Sequence, residues 1–192
     1  MSPKLPRMMI FIPMDRPTAL GVREAGRTDR RLIAHAATGR LISAHGYRPD
    51  EREDADYAAQ LYASITGLIT AAADGDADDR ADGARLVIAA DVPIARVRDR
   101  TTGAGPSGRG TGPGADDHQD ADYGAVTVEG LDWSDVTAVF VDEPDAGPAV
   151  RAARTAIADA DDRRLAAVLD LPAVAALTDE HELLWHTPDE SW

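Results

Sequence analysis

"HELLWH" at residues 181–186 is one residue away from the H-E-x-x-H pattern that holds zinc in many metalloproteases. In that pattern two histidines four apart turn about 400° around a helix and share a face, whereas a spacing of five leaves them about 140° out of register. In a strand, an odd spacing sends His181 and His186 to opposite faces. The spacing therefore predicts no metal site here. "GAGPSGRG" (103–110) has the G-x-x-x-x-G spacing of a phosphate loop, but Arg109 and Gly110 stand where Lys and Ser/Thr would hold phosphate and magnesium. "DGDADDRADGAR" (74–85) opens like a calcium loop with Asp74, Asp76 and Asp78, then puts Asp79 at the turn glycine and Arg85 at the bidentate glutamate. Both fail as binding loops. Ser43, Ser64, Ser107, Ser134 and Ser191 lack a G-x-S-x-G or comparable nucleophile setting.

The residue types that keep a chemical reading are carboxylates just past strand ends: Asp15, Asp91, Asp142 and Glu143. Clustered acids at strand termini can hold a cation or act as an acid–base pair. They form the tentative ligand-binding set. The expected topology puts Asp15 and Asp91 at one edge of the sheet and Asp142 at the other, which divides the set. Turn and cap duties are the competing explanation for each of them.

The elements that must position these groups follow from the apolar pattern. "MMIFIP" (8–13), "RLIAHA" (31–36), "ARLVIAADVP" (84–93), "AVTVEG" (125–130), "VTAVFVDEP" (136–144) and "ELLWHT" (182–187) read as strands. The two around "LDWSD" look like a hairpin or a tightly linked pair. Helices are expected over 18–24, from Thr38 as N-cap to Gly46, from Asp50 with Glu53 in the first turn to Gly75, from Pro148 to Ala160, and within 163–178. Between 97 and 122 the apolar pattern disappears into Gly, Thr and Asp, which predicts a disordered insertion. The order predicts one α+β domain over 1–192: a ferredoxin-like sandwich with a mostly antiparallel sheet of five to six strands and helices on one face. Trp185 is expected beside Leu183 on the core side of the last strand. Trp192 has no partner in sequence and is a candidate anchor for another chain.

Composition narrows the function. The 192 residues are 44% hydrophobic, much of that alanine, and only 5% aromatic, which predicts a thin core built on Val, Ile and Leu. Without cysteine there is no disulfide, thiolate nucleophile or Cys-ligated metal. No apolar run spans a bilayer and no leader is recognisable, which predicts a cytoplasmic protein with no membrane partner. The formal charge of −14 is uneven, since residues 1–50 hold nine Lys/Arg against four Asp/Glu. An acidic body repels a phosphate backbone, so nucleic acid is not an expected partner. Arg23, Arg27, Arg30 and Arg31 can form a local anion patch, although a solvated face explains them as well.

Taken in order, "MMIFIPM", "RLIAHAATGRL", "DADYAAQL", "LVIAADVP", "AVFVDEP" and "HELLWH" resemble an uncharacterised family of small acidic actinobacterial proteins carrying a domain of unknown function. The resemblance implies a shared fold and a cytoplasmic bacterial setting. It implies no activity, cofactor or site. The sequence expectation is a non-catalytic protein-interaction or regulatory domain with no cofactor, acting on a protein partner or as a homo-oligomer. The alternative is a small enzyme or ligand binder using the strand-end acids.

Overall fold

The computed structural model describes residues 6–73, 84–99 and 120–192. The phosphate-loop-like stretch and nearly all of the calcium-loop-like stretch lie outside the described residues, as does most of the expected insertion. Among the described residues seven strands are present: β1 (Arg7–Pro13), β2 (Arg27–His35), β3 (Leu86–Pro93), β4 (Val97–Asp99), β5 (Ala125–Asp132), β6 (Val136–Asp142) and β7 (Leu183–His186). They form one antiparallel sheet in the order β4-β5-β2-β1-β3-β6-β7. The helices are α1 (Arg16–Ala25), α2 (Gly39–His45), α3 (Arg52–Ala73), α4 (Gly147–Asp159), α5 (Leu165–Leu169) and α6 (Pro172–Glu180).

The mixed class and the antiparallel sheet agree with the sequence expectation. The details differ. There are seven strands rather than five or six, and the strand order does not reduce to a ferredoxin-like arrangement. β4 occupies residues 97–99, inside the stretch expected to be disordered, and pairs Val97 with Val128. β5 and β6 are not a hairpin, because β2, β1 and β3 lie between them.

That last point fixes the shape of the sheet. In a flat sheet, four strand spacings would separate β5 from β6 by about 19 Å, while the four Cα steps from Asp132 to Val136 reach at most about 14 Å. Those residues also coil into a 3-10 turn, Trp133–Asp135, which shortens the reach further. The sheet must therefore fold across itself. The hinge is the β1–β2 contact, which consists of a single partnered pair, Phe11 with His35. Folding brings Ile10, Ile12, Ile88 and Val139 against Val126, Val128 and Ala34 in one buried cluster, which α1 closes with Ala19 and Val22.

The opposite face carries four of the helices. Phe11, Val87 and Ala138 pack against α3, α4, α5 and α6 through Ile65, Leu68, Val150, Ile157, Leu165 and Leu177. α1 lies on the other side of the sheet, so the helices do not all share one face. α2 starts and stops where Thr38 and Gly46 predict: the Thr38 hydroxyl accepts from the Leu41 amide at 3.1 Å, and Gly46 takes the left-handed conformation. α3 begins at Arg52, and Asp50 lies 3.6 Å from the Arg48 guanidinium instead of capping it.

Candidate functional site

Strand direction decides which acids meet. β1 is antiparallel to β3, with Met9 opposite Asp91 and Pro13 opposite Val87, and β3 is antiparallel to β6, with Leu86 opposite Val141. β1 and β6 therefore run the same way. Asp15, Asp142 and Glu143 gather at one edge of the sheet and Asp91 stands at the other, which reverses the expected grouping. Periodicity carries no direction, and the mistake lies there.

All four acids accept hydrogen bonds from their own chain. Asp15 caps α1, its two oxygens accepting from the Thr18 amide at 2.8 Å and the Thr18 hydroxyl at 2.7 Å. Asp91 accepts from Arg7 Nε at 2.9 Å, and Arg7 also reaches Asp135. Asp142 lies beneath the surface with Arg85, each side chain only 2% exposed. Its Oδ1 accepts from Arg85 Nε at 2.8 Å and lies 2.6 Å from Nη2, which donates to the His181 carbonyl at 2.9 Å.

Glu143 is different. Its Oε1 accepts from the Glu182 amide at 2.9 Å and lies 3.9 Å from His181 Nδ1, a buried nitrogen with no hydrogen-bond partner. Glu143, Asp145 and His181 each offer a ligand atom within 4.8 Å of the others. One nitrogen and two carboxylates could take a divalent cation whose remaining positions are water. "HELLWH" thus contributes one histidine to a cluster, with acids from the β6–α4 turn rather than with His186. Asp145 is exposed and one Glu143 oxygen is already committed, so the set suits weak binding rather than a structural metal. A chelator is accordingly expected to leave the melting temperature unchanged. Stoichiometric zinc in the purified protein, lost in His181→Ala, would contradict this.

Two concave surfaces were not visible in the sequence. The first is an open groove of about 430 Å³ between the N-terminal half of α3 and the β6–β7 edge. Tyr57 and Trp185 flank it, 63% and 59% exposed. Trp185 does share the helix-covered face with Phe140, its register partner, but β7 is the last strand, and among the described residues no further element covers the ring. Met9 and Phe140 line the groove with Glu53, Asp56 and Gln60, and among the described residues no cationic side chain lines it. Burial pushes the Asp56 carboxyl above its ordinary value, partly offset by Arg52 and reinforced by Glu53. Asp56 Oδ1 is buried without a hydrogen-bond partner. The second surface, a cleft of about 660 Å³, opens where β1 and β2 part.

Several other residues singled out in the sequence have structural duties. Arg23 donates to the carbonyls of Asp189 and Glu190 at 2.8 and 2.9 Å, and its guanidinium stands 6.0 Å from the Trp192 ring. Trp192 stacks on Trp133 with ring centroids 6.5 Å apart, so it is not the unpartnered anchor expected from sequence. Arg27 pairs with Asp29 and Arg31 with Glu129. Buried His35 bonds the Tyr123 carbonyl and the Thr66 hydroxyl, each at 2.8 Å. No described helix is long and apolar enough to cross a membrane.

No curated protein and no solved structure matches the chain. A family model does match, over residues 8–191, which is nearly the whole sequence. The chain belongs to DUF6912, a family of unknown function.

Proposed function

We propose that this domain is a non-catalytic protein-interaction module whose groove between α3 and β7 docks a lysine- or arginine-bearing segment of a partner protein. The observation that carries the reading is the pair of large rings, Tyr57 and Trp185, left mostly in water at a groove that, among the described residues, is lined by two acids and no base. Exposed tyrosine and tryptophan are the residue types that anchor interfaces. A basic side chain can lay its aliphatic stem on Met9 and Phe140 and bring its head to the ring faces, where the quadrupole attracts it. Asp56 supplies an acceptor whose Oδ1 has no hydrogen-bond partner in the groove as it stands. The formal charge of −14 favours encounter with a basic partner. The alternative built on strand-end carboxylates is weakened, because Asp15, Asp91 and Asp142 are bound by neighbouring groups and only Glu143 is left beside His181.

Titration calorimetry with a lysine- and arginine-rich decapeptide, and with a glutamine-substituted counterpart, tests the proposal. The basic peptide is expected to bind, to weaken with salt, and to lose about tenfold in affinity, roughly 1.4 kcal/mol, in Trp185→Ala and in Asp56→Asn. Equal binding of both peptides, or binding untouched by either substitution, would sink it. Sedimentation that shows self-association abolished by Trp185→Ala would assign the groove to a second copy of this chain instead.

A further inference from the structure

The cleft between β1 and β2 has a sequence cause. Pro13 ends β1 and lacks the amide that would extend the ladder beyond Phe11, and the β2 register shifts between Thr28 and Arg31. Beyond the single Phe11–His35 pair the strands diverge, and the opening takes Ile12 and Pro13 from β1, Leu32 and Ile33 from β2, Leu20 from α1 and Leu68 from α3. Leu20 and Ile33 are each 44% exposed. A volume of about 660 Å³ is of the size that small-molecule sites occupy.

Its charge is the reverse of the protein's. Arg16, Arg30, Arg31, Arg85 and Arg154 line the cleft against one carboxylate, Asp15, in a chain whose formal charge is −14. Both Asp15 oxygens are held by Thr18. Arg85 is neutralised by Asp142, and Arg31 pairs with Glu129. Arg16 and Arg154 are also engaged within the chain, which leaves Arg30. Among the described residues its guanidinium makes no hydrogen bond or ion pair, although its own backbone amide bonds the Thr28 hydroxyl at 3.3 Å. The hydroxyls along the α3 wall are turned inward, Ser64 to the Leu61 carbonyl, Thr70 to the Thr66 carbonyl and Thr66 to His35. Polar recognition in this cleft therefore falls to arginine, and a guanidinium presents a planar fork that matches a carboxylate.

We propose that this cleft binds a small amphipathic carboxylate, with its apolar body between β1 and β2 and its acid group on Arg30. The inference is independent of the aromatic groove, since the two surfaces share no lining residue. Decanoate, decanol and decyltrimethylammonium, which share a chain and differ in head group, are the probes. Calorimetry should show decanoate binding at least tenfold more tightly than either analogue. Arg30→Gln should remove that advantage while leaving the ligand-free melting temperature in place, because Arg30 is exposed. Arg30→Lys should retain part of it. Amide resonances of Ile12, Ile33 and Leu68 should move on addition of decanoate. Failure of decanoate to bind the unaltered protein, equal binding of decanol, indifference to Arg30→Gln, or resonance changes confined to Tyr57 and Trp185 would each overturn the proposal.

Discussion

Asp142→Ala is expected to destabilise the fold by about 3–5 kcal/mol, the range found when one partner of a buried ion pair is removed. Both side chains are 2% exposed, so the Arg85 guanidinium would be left charged with no solvent to replace the lost carboxylate. The damage would not stop at the pair. Asp142 also accepts from the Arg85 backbone amide, and the Asp142 amide donates to the Arg85 carbonyl at 3.2 Å, so the side chains and backbones together lock the start of β3 to the end of β6. Arg85 in turn holds the His181 carbonyl, which sets the entry to β7. Urea unfolding should show a lowered midpoint with an unchanged slope, the sign of lost stability rather than an altered unfolded state. The double variant Arg85→Met/Asp142→Leu separates the explanations. Because an apolar pair of similar volume incurs no charge desolvation, it should recover much of the loss. A single variant within about 0.5 kcal/mol of the parent would mean that the pair is solvated and that this edge of the sheet is more open than the structure shows.

Most elements are legible in the sequence because their signals are local. Apolar runs mark β1, β3 and β6, Thr38 and Gly46 bracket α2, and Val150, Ala153 and Ile157 are buried on α4 as their spacing requires. The misjudged features are long-range. Nothing in "AVTVEGLDWSDVTAVFVD" says that β5 and β6 pair elsewhere, since two short strands joined by a tight turn ordinarily pair with each other. Only the folding of the sheet at the Phe11–His35 hinge, where Pro13 and the β2 register shift intervene, makes the three-residue link compatible with the strand order. β4 was invisible because three residues, Val-Arg-Asp, carry no alternation to read.

The same limit governs the sites. The acids Asp15, Asp142 and Glu143 could be named from their positions after strands, but the tasks of Asp142 and Glu143 depend on partners far away in sequence. Arg85 lies 57 residues from Asp142, and Glu143 lies 39 from the Glu182 amide it accepts. Tyr57 gave one readable hint, as a large ring off the buried stripe of Ala58, Ile65 and Leu68 on α3. Trp185 gave the opposite impression, since its face is the core face. What leaves it in water is its place on the last strand of the sheet, and that is a property of topology.

Gly124→Ala is expected to cost about 3 kcal/mol, combining a disfavoured left-handed conformation of about 1 kcal/mol with forced overpacking of about 1–3 kcal/mol. Gly124 has φ +75°, and a Cβ there would meet the Ala36 carbonyl oxygen at 2.2 Å and the Leu41 Cδ1 at 2.8 Å. Neither neighbour can withdraw. The Ala36 carbonyl accepts from the Thr38 amide at 2.7 Å, the Ala36 amide donates to the Gly124 carbonyl at 2.9 Å, and Leu41 is fully buried. Relief would have to displace the β2–α2 turn, and with it the neighbouring His35 hydrogen bond to Tyr123. For a chain of this length the melting temperature should fall by about 6–12 °C. Gly26→Ala is the matched control, with φ +74° but open space around its Cβ. It shares the conformational cost and lacks the clash, so a loss of about 1 kcal/mol is expected there. Equal losses at the two positions would show that φ alone matters and that β5 does not press on the β2–α2 turn. A larger loss at Gly124 would confirm that the chain closes on itself at that point, bringing β5 in beside β2 on the far side of the hinge.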